Sequence, residues 1–329
     1  MCERSLRFGV VGCADVAWRH VLPALAECPS ARLVAVASRT EARARRFADR
    51  FGGEAVVGYE RLLGRGDIDA VYIPLPTGMH AEWTGRALEA GKHVLVEKTL
   101  ATSVREADEL VALAGSHDLR LMENRMFVHH PQHETVRRLV SEGVIGELRV
   151  FTAAMAIPPR PADDIRYAPE LGGGALMDVG FYPIHAAMAY LGAPLEVAGA
   201  VLHHDAARGV EIGGDVLLRG SDGAAAHLTF GFQHFYRSRY ELWGGRGRII
   251  VDRAFTPPKT WQPVVRIERQ DREETLTLRP SNHYLNTLEV FVASVRGGGG
   301  DAGALEASVR GVALMESVRA ITSGDLTPR

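Results

Sequence analysis

Residues 5–12 (SLRFGVVG) read as a buried strand that ends on a glycine. Behind it, 15–26 places Val16, Ala17, Val21, Leu22 and Leu25 near a helical period. One strand-turn-helix unit constrains little, but its repetition constrains a great deal. Apolar runs at 31–37 (ARLVAVA), 69–74 (DAVYIP), 93–97 (HVLVE) and 119–123 (LRLME) alternate with helical stretches at about 41–51, 80–90 and 104–117. Ser103 stands where a helix N-cap belongs, with Glu106 at capping-box spacing. Strands that are apolar throughout are buried on both faces, and short helical crossovers make them parallel. The expectation is an α/β fold whose first half is a doubly wound parallel sheet of Rossmann type.

The rhythm changes near residue 125. One helix follows His130-Pro131, a strand lies near 147–155, and 157–174 is rich in proline and glycine. Strand-like runs then follow without intervening helices, at 195–202, 214–219, 224–232, 236–243, 247–252, 263–268 and 274–278. Turns such as Ser221-Asp222-Gly223 separate them, as antiparallel or mixed pairing requires. Helices at about 281–296 and 304–322, parted by Gly297–Gly300, end the chain. A length of 329 residues calls for more than one core. The expected division is 1–125, a Rossmann domain, and 126–329, an α+β domain on a large open, mostly antiparallel sheet. Too few helices remain to cover both faces of that sheet, so a homo-oligomer, dimer or tetramer, is expected.

Apolar residues make up 46%, charged residues 24%, and the net charge is -2, which fits a soluble globular protein and gives no reason to expect a nucleic-acid partner. The arginine-rich stretch Arg43–Arg50 is interrupted by Ala44, Phe47, Ala48 and Asp49 and reads as a solvated helix face. Cys2, Cys13 and Cys28 form no metal or CxxC pattern and suit a reducing cytoplasm. The first apolar run, Leu6–Ala14, is short and holds Arg7 and two glycines, so neither a secretory signal nor a membrane span is expected.

The first strand-turn-helix reads Gly12-x-Ala14-x-x-Ala17 against the dinucleotide fingerprint Gly-x-Gly-x-x-Gly/Ala. Such a turn is either structural or a pyrophosphate cradle made by Gly12, Cys13, Ala14, Asp15 and Val16 at a helix N-terminus. Ala14 in place of the second glycine weakens the signal, and the position at the first strand-helix junction strengthens it. Cys13 is better read as a small filler than as a reactive thiol. The second strand ends on Ser38-Arg39-Thr40, where an NAD site would place an acid. Arg39 is either an exposed arginine at a helix start or the partner of a 2′-phosphate, and the missing acid favours NADP.

Two further segments stand out. Glu97-Lys98-Thr99 follows the strand at 93–97. Ligands bind at strand carboxyl ends in such sheets, so Lys98 should point at the cofactor, unless it is merely a surface lysine. The block Gly172-Gly173-Gly174-Ala175-Leu176-Met177-Asp178 permits tight backbone approach, and Asp178, Tyr182 and His185 recur at helical spacing on one face. These residues could equally belong to a buried helix with one satisfied tyrosine.

Together with Pro74-Leu75-Pro76-Thr77 and His80, these motifs closely resemble the glucose-fructose oxidoreductase, inositol dehydrogenase and rhizopine-catabolism family, over essentially the whole chain. The resemblance implies a catalytic Lys98 and a second half that forms an open-sheet substrate domain. It adds Pro74, Leu75, Pro76, His80, Glu97, Arg166 and Tyr59 to the residues around the cofactor, with Arg166 closing over it. Asp178, Tyr182, His185 and Tyr236 go to the substrate.

This sequence departs from the family pattern in places. Thr99 stands where the family usually has proline, so a cis-proline is excluded there. Asp178-x-Gly180-x-Tyr182-x-x-His185 replaces Asp-x-Gly-x-His-x-x-Asp. Tyrosine in place of histidine resembles the carbonyl-reducing branches, and Gly12-Cys13-Ala14-Asp15, Arg19 and Ser38-Arg39 look most like nucleotide-sugar 3-ketoreductases of deoxysugar biosynthesis.

The implied reaction is NADPH-dependent reduction of the C3 ketone of a nucleotide-linked, dTDP-type keto-deoxysugar. A phenol with a free pKa of about 10 is a weak acid, and an ammonium at Lys98 would ease proton donation from Tyr182. Lys98 could also bond the developing alkoxide. The alternatives are an NADP-dependent dehydrogenase of a free sugar or a trans-dihydrodiol, and a non-catalytic NADP-binding regulator. No metal is needed. His129-His130-x-x-His133 has ligand spacing, but Pro131 interrupts it and no acidic partner is evident.

Overall fold

A computed structural model describes residues 4–192, 194–297 and 302–323. Cys2 and 298–300 of the glycine link lie outside the described residues. The apolar runs of the first half form six parallel strands, β1 (Leu6–Val11), β2 (Ala31–Ser38), β3 (Glu54–Val57), β4 (Ala70–Ile73), β5 (His93–Val96) and β6 (Leu121–Glu123), in the order β3-β2-β1-β4-β5-β6. The order reverses between β1 and β4, which opens a crevice at their carboxyl ends. After β1 a π-helical turn, Ala17–Val21, leads into α1 (Leu22–Glu27). Next come α2 (Glu41–Phe51), α3 (Tyr59–Leu63), α4 (His80–Glu89) and α5 (Val104–Ser116). Strand β3 and helix α3 were not anticipated; each spans at most five residues, too few for a period to register. Ser103 caps α5 by accepting from Glu106 N–H at 3.3 Å, while the Glu106 carboxylate reaches Thr102 rather than Ser103.

Both faces of the parallel sheet are dry. Val11, Val71, Ile73, Val94 and Val96 enter one core with Trp83 and Leu110; Phe8, Val10, Tyr72 and Leu95 enter the other with Val21 and Leu22. Each fully buried Val, Leu or Phe contributes about 1.5–3 kcal/mol. The second core also takes Leu288, Phe291 and Val292 from α8 (His283–Val295), with Phe291 5.7 Å from Phe8, ring to ring.

The chain forms two compact units. One comprises the residues up to His129 with His283–Val309; the other comprises His130–Asn282 with the residues from Arg310. The units therefore do not follow a single division at 125/126. The apolar stripe of α8 sends 283–309 to the first unit.

The second unit holds an eight-stranded sheet, ordered β14-β13-β12-β11-β7-β10-β9-β8. Its strands are β7 (Leu148–Ala156), β8 (Leu195–Asp205), β9 (Val210–Gly220), β10 (Ala225–Gly231), β11 (Arg237–Gly244), β12 (Arg248–Asp252), β13 (Val264–Arg269) and β14 (Arg272–Thr277). All neighbours are antiparallel except β7 and β10. Helices α6 (Pro131–Ser141) and α7 (Phe181–Leu191) cover one face: Tyr240 OH lies 3.0 Å from His133 Nδ1 and 2.7 Å from Tyr190 OH. On the opposite face the register aligns Leu217, His227, Thr152 and Glu241, and beside them Arg219, Ala225, Val150 and Trp243. Leu217 and Trp243 are 41% and 58% exposed. No helix among the described residues is long and apolar enough to cross a membrane.

Helix α9 (Ala302–Ser323) closes the chain. His185 is buried against Phe181, at 4.1 Å, and a β-carbon on Gly311 would collide with its ring. Helix propensity alone predicts that Gly311→Ala stabilises by about 1 kcal/mol, whereas overpacking a filled site costs about 1–3 kcal/mol. We expect a net loss in denaturant unfolding; a gain would show that His185 yields without cost.

Candidate active site

The crevice is built from the turn after β1 and the loops after β4 and β5. Gly12 has φ +115°, and a β-carbon there would stand 2.7 Å from Leu75 Cδ2. The bare backbone lets Pro74-Leu75-Pro76 close on the turn. The helix behind the turn begins at Asp15, so its first amide groups point back toward it. Ala14 O accepts from Trp18 N–H at 3.1 Å, Val16 packs on the core, and exposed Asp15 pairs with Arg19 at 2.8 Å. This turn fits a pyrophosphate: it has no side chain at Gly12 and a helix start behind it.

Beyond the turn lies a basic cluster. Ser38, 4% exposed, accepts from Thr40 N–H at 3.4 Å, and Arg39 is exposed. Burial pushes the Tyr59 hydroxyl up, while Arg39 and Arg43 pull it back. The Tyr59 ring lies edge-on to Trp83 at 4.8 Å. Arg43, missed in the sequence, donates to Cys13 O at 3.0 Å, and burial raises the Cys13 thiol, as befits a filler.

Lys98 is half-buried at the end of β5 and is fixed on both sides. Glu97, which the resemblance puts among the residues around the cofactor, turns its carboxylate into the sheet. There Oε1 accepts from Tyr72 OH at 2.7 Å and from Asn124 Nδ2 at 2.5 Å. Tyr72 was legible in principle, because a tyrosine inside an apolar strand must find a partner for its hydroxyl. On the other side, fully buried His80 sets Nδ1 2.6 Å from Thr99 O and Nε2 2.7 Å from Leu75 O. Burial lowers the His80 pKa; the two carbonyls oppose this and Lys98 adds to it. The Lys98–Thr99 peptide is cis without a proline.

The glycine block lies in the second unit. Gly173 N–H donates to Ala168 O at 3.0 Å and Gly174 N–H to Arg166 O at 2.9 Å. Gly174 has φ +119°, and a β-carbon there would meet Glu211 Oε1 at 2.6 Å. The glycines thus wrap the turn that carries Arg166. That guanidinium donates to Asp178 at 2.5 Å and to Asp164 at 3.1 Å, and the negative charge, Asp178 foremost, holds it more firmly protonated.

Asp178, Tyr182 and His185, expected on one face, each have contacts of their own. Leu176–Gly180 is a π-helical turn that leads directly into α7. Asp178 meets Arg166, and His185 meets Gly311. Tyr182 is 6% exposed, its ring 5.6 Å from those of Phe181 and Phe255. Tyr236 OH shares a hydrogen bond with Thr256 Oγ1 at 3.0 Å. His130 caps α6 and His133 bonds inside the unit, and no group of three potential metal ligands occurs among the described residues.

A glycine turn at a sheet switch point, a basic cluster after β2 and a lysine after β5 define an oxidoreductase with a dinucleotide-binding Rossmann unit. The chain belongs to the glucose-fructose oxidoreductase, inositol dehydrogenase and rhizopine-catabolism family. It matches "Oxidoreductase family, NAD-binding Rossmann fold" over residues 6–125 and "GFO/IDH/MocA C-terminal domain" over residues 133–250. It is 51% identical over 324 residues to a dTDP-3,4-didehydro-2,6-dideoxy-alpha-D-glucose 3-reductase from Saccharopolyspora spinosa, covering 96% of this chain and 97% of that one. It is 34% identical over 294 residues to D-xylose 1-dehydrogenase (NADP(+)) 2 from Haloferax volcanii, covering 89% and 90%. A 3-ketoreductase from Actinomadura kijaniata, solved in complex with NADP and TDP-benzene, superposes with a TM-score of 0.95 at 50% identity, covering 97% and 98%.

Burial raises the Glu97 carboxyl above its ordinary 4.5, and its donors and Lys98 bring it only partly back. A carboxyl raised in the folded state favours folding at low pH and loses that contribution as pH climbs through the raised value. Glu97→Gln keeps an acceptor oxygen and cannot ionise. Its melting temperature relative to wild type should be higher at about pH 8 than at about pH 5; equal differences at both would show that the carboxyl is not raised.

Proposed function

We propose that the chain uses NADPH to reduce the C3 ketone of a nucleotide-linked keto-deoxysugar, with dTDP as the nucleotide. The observation that carries this reading is Lys98, whose neighbours Glu97 and Thr99 are held on both sides just after β5, in a chain 51% identical over 324 residues to a reductase of that kind. NADPH, when bound, supplies the hydride. Gly12 to Val16 take the pyrophosphate, and Ser38, Arg39, Thr40 and Tyr59 take the adenosine end with its 2′-phosphate. Pro74, Leu75, Pro76 and His80 wall the crevice. Glu97 acts as a positioning residue for Lys98. Tyr182 gives the proton to the ketone oxygen, and Lys98 steadies the charge that develops there. Asp178 and Tyr236 bind sugar hydroxyls. Arg166 closes over the cofactor once its pairing with Asp178 opens, and His185 supports α7 from behind.

The 34% identity to a D-xylose dehydrogenase favours a second reading, oxidation of a free sugar with NADP. NADPH oxidation with a dTDP-linked 3-keto sugar, measured beside NADP reduction with D-xylose, separates the two. Turnover with xylose alone would overturn the first.

Three outcomes follow. Arg39→Ala should weaken NADPH by on the order of 1.5–3 kcal/mol while leaving NADH nearly unchanged; an unaltered ratio of the two affinities would sink the 2′-phosphate assignment. Tyr182→Phe should cut turnover by about 10²–10⁴-fold at constant NADPH affinity. Combined with Lys98→Met, it should cost less than the product of the single losses, because both groups serve one proton transfer. Near-normal turnover in Tyr182→Phe would mean another group gives the proton. A second copy is proposed to cover the sheet face that carries Leu217 and Trp243. Sedimentation equilibrium should then show a dimer or tetramer, and monomer alone at micromolar concentration would count against it.

A further inference from the structure

Strand β12 ends at Asp252, and the next residue, Arg253, has φ +49°. Side chains other than glycine, asparagine and aspartate rarely adopt that backbone. The Arg253 guanidinium carbon lies 5.2 Å from the ring centre of Tyr236 and 5.0 Å from that of Trp261. Aromatic faces hold a guanidinium by its plane and leave its N–H edges available. Among the described residues no carboxylate pairs with Arg253. Its neighbour Asp252 is engaged by Arg239 at 3.7 Å and by Arg266 at 3.1 Å. Most other arginines of this sheet carry an acid partner, as Arg248 does with Glu268 and Arg269 with Glu274. Arg253 is therefore a pre-oriented cation whose partner is not part of its own unit.

The place of this cation matters. Phe255, two residues on, packs its ring 5.6 Å from that of Tyr182 at a tilt of 32°, and Thr256 shares a hydrogen bond with the hydroxyl of Tyr236. We infer that Arg253, braced by Tyr236 and Trp261, is the anchor for the diphosphate of the nucleotide-linked substrate. This rests on the function proposed above, in which the sugar ketone lies at Tyr182. The diphosphate hangs from the anomeric carbon of that sugar, and a guanidinium offers two parallel N–H bonds to phosphate oxygens. The ring of Tyr236 thus braces Arg253, while its hydroxyl serves the sugar as proposed above.

The test uses the NADP-loaded protein and calorimetric titration with dTDP and with thymidine. Arg253→Asn removes the charge and keeps a side chain that tolerates a left-handed backbone; Arg253→Lys keeps the charge without the fork. We expect Arg253→Asn to lose about 10–100-fold in dTDP affinity with thymidine unchanged, and Arg253→Lys to recover part of the loss. Wild-type affinity for dTDP in Arg253→Asn overturns the anchor, and so does an equal loss for thymidine. Failure of the wild-type protein itself to bind dTDP overturns the functional reading instead.

Discussion

A single carboxylate oxygen organises the edge of the sheet on which the chemistry depends. Oε1 of Glu97 accepts from Tyr72 on β4 and from Asn124 just after β6, so the strand between them is bonded on both sides. Removed from water, that carboxylate requires both donors. Glu123, also buried, accepts from Leu100 N–H at 2.6 Å just beyond the cis peptide. His80 fixes the loop from above through Thr99 and ties it to Leu75, which in turn packs into the space left by Gly12. Lys98 thus projects from a backbone whose neighbours are committed, and its freedom is confined to its own side chain.

The second unit solves a different problem with similar means. Its sheet needs one face covered, and Tyr240, His133 and Tyr190 supply a buried polar cluster in which each ring also packs. Its glycine block brings the Arg166 turn against the start of the π-helical turn, where a β-carbon at Gly174 would strike Glu211. Glu211 in turn accepts from Arg319 at 2.8 Å. Around this turn three polar residues have three settings: an ion pair at Asp178, an aromatic surrounding for Tyr182 and interior packing for His185.

The parallel sheet was readable because its strands are continuously apolar and its helices keep a 3.6-residue rhythm. The antiparallel half was readable from runs divided by turn residues. What escaped notice was set by distance in sequence. The partners of Glu97 lie 25 and 27 residues from it, and no local pattern marks Asn124. Arg43 looked like one of several exposed arginines, and only the fold brings it to the carbonyl of Cys13. The π-helical turn Leu176–Gly180 is invisible to a search that assumes a uniform period. The parallel pairing of β7 with β10 depends on where the chain returns after α7 and the β8-β9 hairpin, which no local motif reports.

Helix α8 has a consequence for how the polypeptide is made. Leu288, Phe291 and Val292 complete the core that begins with Phe8 and Val10. During synthesis the first six strands leave the ribosome before that helix exists, and the core on one side of their sheet, which α1 covers in part, still lacks those three side chains. The intervening 153 residues, His130–Asn282, form a unit of their own in the meantime. Completion of the nucleotide-binding half therefore waits for translation of α8, and a nascent chain stalled before it leaves Phe8 and its neighbours less covered and open to chaperones.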